Sequence, residues 1–156
     1  MEMDCPKCWG KNKTCVRCGG DGKCPDVQLS PHFRLSELLA SNTAKSKGLD
    51  NDPSPEVLAN LKSLCEHVLE PIRAKVGPLK INSGYRSDPV NDAVGGSKTS
   101  AHAFVLAADL HPAHGCRRLM NDIIASGVKL DQVIFETRSQ SPWNLVLDIQ
   151  NSCIQR

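Results

Sequence analysis

Residues Ile81 to Leu110 read INSGYRSDPVNDAVGGSKTSAHAFVLAADL, and how that stretch is read decides both the fold and the chemistry of the chain. It holds Gly84-Tyr85-Arg86-Ser87, Asn91, the pair Gly95-Gly96, and Ser100-x-His102 with Asp109 seven residues further on. Imidazole and carboxylate are both donors that zinc accepts, and a catalytic zinc takes three protein ligands and keeps one position open for water. Two candidate ligands, His102 and Asp109, are therefore in view. The Gly-Gly pair permits a tight backbone path, and Ala107-Ala108-Asp109 closes a hydrophobic run with the character of a buried strand.

On these residues the stretch resembles the zinc D-alanyl-D-alanine carboxypeptidase family, which also includes phage and bacterial L,D-endopeptidases that cut peptidoglycan stem peptides. The likeness runs from about Leu29 to the C-terminus. It implies that His102 and Asp109 are zinc ligands, that Arg86 braces a substrate carboxylate or a developing oxyanion, and that Ser100 helps to bind substrate. One departure limits what carries over. The family takes its third ligand from a His in a late Trp-x-His-Val-Ser strand, and the matching segment here is Trp143-Asn144-Leu145-Val146-Leu147. Leu145 has no lone pair to offer, which leaves two protein ligands where a catalytic zinc has three. Val105 also stands where the family usually has Gly.

A general base must be ionised and within hydrogen-bond reach of the water it activates. Glu136, at the end of LDQVIFE (130–136), matches the family's Asp-Gln-Leu-Ile-x-Glu strand and is the nearest candidate; an ordinary strand-end carboxylate is the other reading. The family's commoner base lies just before the third-ligand His, and Ser141-Pro142-Trp143 supplies none. His111, two residues beyond Asp109 and so on the same face of a strand, could replace the missing ligand, as could His114. Against this, Pro112 turns the chain away.

Ahead of this region, Cys5-Pro6-Lys7-Cys8 and Cys15-Val16-Arg17-Cys18 form two Cys-x2-Cys knuckles. Two such turns complete a tetrahedral four-sulfur zinc site. The pattern is similar to the zinc modules of DnaJ-type cochaperones and implies a structural zinc that lets a segment too short for its own core fold. Lys7, Lys11, Lys13 and Arg17 would offset the negative tetrathiolate. Cys24 falls outside the pairs. His32 and His67 have no partner at ligand spacing and read as a loop and a helix histidine.

The 156 residues suit one compact domain, here 29–156, preceded by a knuckle segment, 1–28. Nineteen basic against seventeen acidic residues leave a net charge of only +2, which is no footprint for nucleic acid. No run approaches the roughly 20 apolar residues of a membrane-spanning helix, so neither membrane nor nucleic acid is expected as a partner. Met-Glu-Met-Asp carries acid where a signal peptide carries base, and eight cysteines without such a signal favour metal over disulfides.

The expected architecture is α+β and similar to the D-Ala-D-Ala metallopeptidase and Hedgehog-like fold. It has a small antiparallel sheet from strands near 79–83, 104–110, 130–136 and 144–149, flanked by helices near 55–70 and 116–126. Residues 40–55 and 87–100 read as loops. One zinc is expected at the cysteines; a second, at His102 and Asp109, depends on a third ligand. The missing ligand and missing acid together point to a degenerate zinc peptidase-like domain, serving as a structural or peptidoglycan-peptide-binding module in a phage virion or in the cytoplasm of a bacterial host. Stem peptide and other virion proteins are then its partners. The alternative is an active zinc-dependent peptidoglycan endopeptidase or D,D-carboxypeptidase.

Overall fold

Ser54 and Pro55 start the longest helical run, and they do so by supplying a cap and a preset φ. In the computed structural model, which describes residues 1–111, 115–130, 132–138 and 141–148, the Ser54 hydroxyl accepts the Val57 N–H at the head of a helix over Pro55–Leu64. Pro71 then interrupts the run. A proline lacks an N–H, and its ring excludes the carbonyl four residues back. The chain widens to a π-turn over Cys65–Leu69, in which the Glu70 N–H reaches Cys65 O, before helix continues over Glu70–Val76 and ends at Gly77. Leu61, Leu64, Leu69 and Ile72 line one buried face throughout.

In chain order the elements are β1 (Glu2–Asp4), β2 (Lys23–Pro25), β3 (Gln28–Ser30), β4 (Phe33–Arg34), α1 (Leu35–Leu38), α2 (Asn42–Lys47), α3 (Pro55–Leu64), the π-turn, α4 (Glu70–Val76), β5 (Lys80–Ser83), α5 (Asp88–Ala93), β6 (Ala107–His111), α6 (Cys116–Ala125), β7 (Gln132–Arg138) and β8 (Ser141–Asp148). The main sheet is antiparallel, in the order β5-β6-β8-β7, so the mixed α+β class read from sequence holds. Among the described residues no helix is long and apolar enough to cross a membrane.

Two segments expected to be loops contain short helices. Ser41 caps α2 through its hydroxyl and Gly48, at φ 66°, stops it; Ser87 precedes α5, which has Pro89 in its first turn. Neither presents an apolar stripe, α2 burying only Ala44, so periodicity could not reveal them. The strand expected at 104–110 begins later, at Ala107, because the chain still turns there, with Leu106 N–H bonded to Ala101 O. The last two strands run Gln132–Arg138 and Ser141–Asp148, the first ending later and the second starting earlier than expected.

One apolar cluster runs from Cys5, Cys8, Cys15 and Cys24 through Phe33, Leu35 and Leu38 to Leu61, Leu69, Leu110 and Ile123. The cysteine segment therefore shares its buried surface with the rest of the chain. Glu70 ties the β3–β4 turn to α4: its carboxylate accepts Ser30 Oγ–H at 2.7 Å and His32 N–H at 2.8 Å, and faces His32 Nδ1 at 2.8 Å.

Burial opposes the Glu70 charge, but the bonds from Ser30 and His32 outweigh it and hold the carboxyl below its ordinary value of 4.5. A carboxyl lowered in the folded state stabilises fully above its unfolded value and loses that contribution as pH falls through the folded value. Glu70→Gln should accordingly cost about 1–2 kcal/mol in urea unfolding at pH 7 and very little near pH 3. A difference that stays constant over that range would contradict the assignment.

Candidate functional site

Gly84 ends β5 where a side chain has no room: a Cβ there would lie 2.7 Å from Leu38 O. Beyond it, the Tyr85 N–H donates to Leu38 O at 2.8 Å, so an orphan carbonyl at the end of α1 is satisfied by the signature segment. The Gly84 carbonyl accepts a hydrogen bond at 2.7 Å from His102 Nδ1, which must carry the proton because a carbonyl can only accept. His102 Nε2 is thereby turned towards Asp109 Oδ1, 3.3 Å away. That pair is close enough to attract when the imidazole is protonated but is not aligned as a hydrogen bond, and Oδ1 is a buried oxygen with no hydrogen-bond partner among the described residues. A histidine whose Nδ1–H is held by a carbonyl and whose Nε2 faces a carboxylate is oriented as metal-ligating histidines are.

Asp109 owes its position to a bulge. Ile81 pairs with Leu110 and Ser83 with Asp109, so Asn82 is an extra residue in β5 beside the site. Nothing in the sequence pattern announced it. Arg86 is half-buried, and its N–H donates to His102 O at 3.3 Å, which brings the Arg86 and His102 backbones together. Ser100 stands in the turn that presents His102, with its N–H on Ser97 O and its carbonyl accepting the Ala103 N–H. The Gly95-Gly96 pair has a packing cause: a Cβ on Gly96 would collide with the Asn91 side chain, whose Nδ2 donates to Ser97 O at 2.8 Å.

Among the described residues His102 and Asp109 gain no third ligand. Among the described residues the only group of three or more close His, Cys, Asp or Glu ligand atoms lies at the four cysteines. In the sheet, Asp109 stands opposite Val146 and Leu110 opposite Leu145, two residue types without a donor atom. His111 is exposed and pairs with Lys80; His114 lies outside the described residues. Glu136 pairs with Asn144 on the far side of β8. Two strand spacings and a two-residue offset put its Cα roughly 12 Å from that of Asp109.

The cysteines present a different picture. Cys5 Sγ lies 3.9 Å from Cys15 Sγ and Cys8 Sγ 3.6 Å from Cys18 Sγ, and all four sulfurs fall within 4.8 Å of one another. A tetrahedron with zinc–sulfur bonds of about 2.3 Å has sulfurs about 3.8 Å apart, whereas a disulfide needs about 2.05 Å. Burial pushes the Cys5 thiol up to about 12 and raises Cys8; at Cys18 it is outweighed by the Gly20 and Gly22 N–H groups, which with the neighbouring Cys8 and Cys15 bring that thiol to about 7. Cys24 sits apart on β2, opposite Met3. Three basic residues of this segment engage α2 and the loop after it: Lys7 pairs with Asp50 at 3.5 Å, Arg17 with Asp52 at 3.5 Å, and Lys11 donates to Ser46 O at the end of α2.

A family model described as peptidase M15 matches residues 31–139. The chain belongs to the peptidase M15 family. Comparison with curated proteins and with solved structures gave no match. The matched span includes His102 and Asp109 and ends ahead of β8 and its Leu145.

Val105 follows His102 closely and holds φ at +59°, a left-handed conformation that strains a β-branched residue, while its side chain is only 1% exposed. Strain of about 1–3 kcal/mol opposes burial worth about 2 kcal/mol. Glycine is ordinarily the worse replacement, but here it alone relieves the strain. Val105→Gly should therefore melt at or above Val105→Ala, and a glycine variant that melts well below the alanine variant would contradict the strained backbone.

Proposed function

We propose that this chain is a degenerate zinc peptidase-like domain that holds one structural zinc at Cys5, Cys8, Cys15 and Cys18 and acts as a structural or peptidoglycan-peptide-binding module of a phage virion. The observation that carries the reading is the incomplete donor set beside a well-formed one. His102 and Asp109 are brought together, but the β8 residues across from Asp109 and Leu110 are Val146 and Leu145. A catalytic zinc does not fit these residues, since lowering the pKa of a bound water and polarising a carbonyl both require a firmly ligated ion.

Binding does not need that ion. Arg86 and Ser100 lie on the segments that border His102, and they are the residues proposed to meet a stem-peptide carboxylate. The virion, or the cytoplasm of an infected bacterium, is the proposed setting, with other virion proteins as partners.

The active alternative, a zinc-dependent peptidoglycan endopeptidase or D,D-carboxypeptidase, draws support from one observation: the Nδ1–H of His102 is still held by Gly84 O, with Nε2 towards Asp109. Stem peptides incubated with the zinc-loaded chain separate the two readings. The proposal expects no cleavage and close to one zinc per chain. Cleavage by the unaltered chain, lost in His102→Ala, would overturn it.

A further inference from the structure

The segment Leu49–Asp52 carries no regular structure, yet it touches both the cysteine segment and the signature segment. On one side, Trp9 Nε1–H donates to Leu49 O at 2.7 Å and the Asn51 N–H donates to Pro6 O at 2.8 Å. Pro6 lies inside the first Cys-x2-Cys turn. On the other side, Asn51 Oδ1 accepts the Ser87 N–H at 2.8 Å, Asn51 Nδ2 donates to Leu39 O at 3.1 Å and to Tyr85 O at 3.4 Å, and the Ser87 hydroxyl donates to Asp50 O at 2.6 Å. Asn51 is 0% exposed.

We propose that Asn51 is a positioning residue that couples metal at the four cysteines to the Gly84–Ser87 segment. The inference rests on the reading of those cysteines as a metal site. Its side chain holds the residue on either side of Arg86, Tyr85 through its carbonyl and Ser87 through its N–H, and the Arg86 N–H in turn meets His102 O. Because Asn51 is wholly buried, no water stands ready to replace its bonds, so their geometry is dictated by where its backbone sits. That backbone is fixed by Pro6 O.

The Pro6 carbonyl is itself only as well placed as the turn that carries it. Between β1 and β2 the chain has no helix or strand of its own, and its four cysteine sulfurs, three of them on buried residues, converge on one point. A segment of this kind is ordered by its metal, and binding there is folding there. Loss of the ion frees the Cys5–Cys8 turn, then the Asn51 N–H, then the clamp on Ser87. The cysteine segment thus acts on the peptide-binding residues without contributing a donor to them.

Amide exchange on the full-length, zinc-loaded chain reads this directly. The Ser87 N–H, bonded to Asn51 Oδ1, is the reporter, and the Cys65 N–H, bonded to Leu61 O inside the helical run, is the control. Stripping zinc with a chelator should speed Ser87 exchange at least about tenfold while leaving Cys65 protected. In Asn51→Ala at full zinc content, Ser87 should already exchange fast and should no longer respond to metal removal, an insensitivity that a merely structural loss of stability would not produce. Cobalt loading checks the premise separately, since four thiolates give an intense sulfur-to-cobalt charge-transfer band. If that band is present and Ser87 exchange does not change on metal removal, the coupling is overturned and the metal site stands. If the band is absent, the metal site falls and the coupling with it. The unaltered chain decides the matter even if Asn51→Ala does not fold.

Discussion

The hydrogen bond from His102 Nδ1–H to the Gly84 carbonyl is the contact on which the arrangement around Asp109 depends. It joins the end of β5 to the turn that precedes β6, and it fixes which imidazole nitrogen is left to face the carboxylate. It also explains Gly84, since that carbonyl can approach His102 only if the backbone packs directly on Leu38 O. From this single bond follow the placement of Arg86 beside the His102 backbone and the pairing of Ser83 with Asp109 across the bulge. A strained residue, Val105, is tolerated nearby because the turn needs a left-handed step and the core accepts the isopropyl group.

The chain belongs to the peptidase M15 family, and among the described residues the donors gathered around that bond are His102 and Asp109. Scaffold and chemistry separate because they rest on different residues. Gly84, Asn91, Gly96 and the buried leucines of α1 and α3 govern packing. Zinc chemistry rests instead on donor atoms, and among the described residues this region brings together His102 and Asp109. Leu145, standing opposite Leu110 on one side and Phe135 on the other, belongs to an all-apolar row of residue types. Such a row is a natural part of a sheet and a poor metal site. The four cysteines present the reverse case, a short segment with little core of its own whose order is assigned to an ion.

Much of this was legible in the sequence, and the parts that were not share a cause. The Cys-x2-Cys pairs, the Ser54-Pro55 helix start and the Ser-x-His…Asp spacing each express a local rule, and the structure places those residues together or in the elements they predict. The helices α2 and α5 carry no stripe of apolar residues, and the three-residue strands β1 and β2 are too short for alternation to register. Asn51 was invisible for a stronger reason. In the sequence it is one polar residue in a run of Asp, Asn and Pro, and only the fold shows it buried with bonds to Leu39, Tyr85 and Ser87. The basic residues near the cysteines also have partners the sequence did not announce, Lys7 and Arg17 pairing with Asp50 and Asp52 and Lys11 bonding Ser46 O of α2.

The most direct test of the account is the zinc X-ray absorption fine structure of the full-length chain loaded with excess zinc and then freed of unbound ion. The account predicts a first shell of four sulfurs at about 2.3 Å and nothing lighter, because among the described residues the cysteines alone form a complete donor set. A shell that also contains nitrogen or oxygen at about 2.0–2.1 Å would contradict it, and would mean that His102 and Asp109 hold an ion of their own.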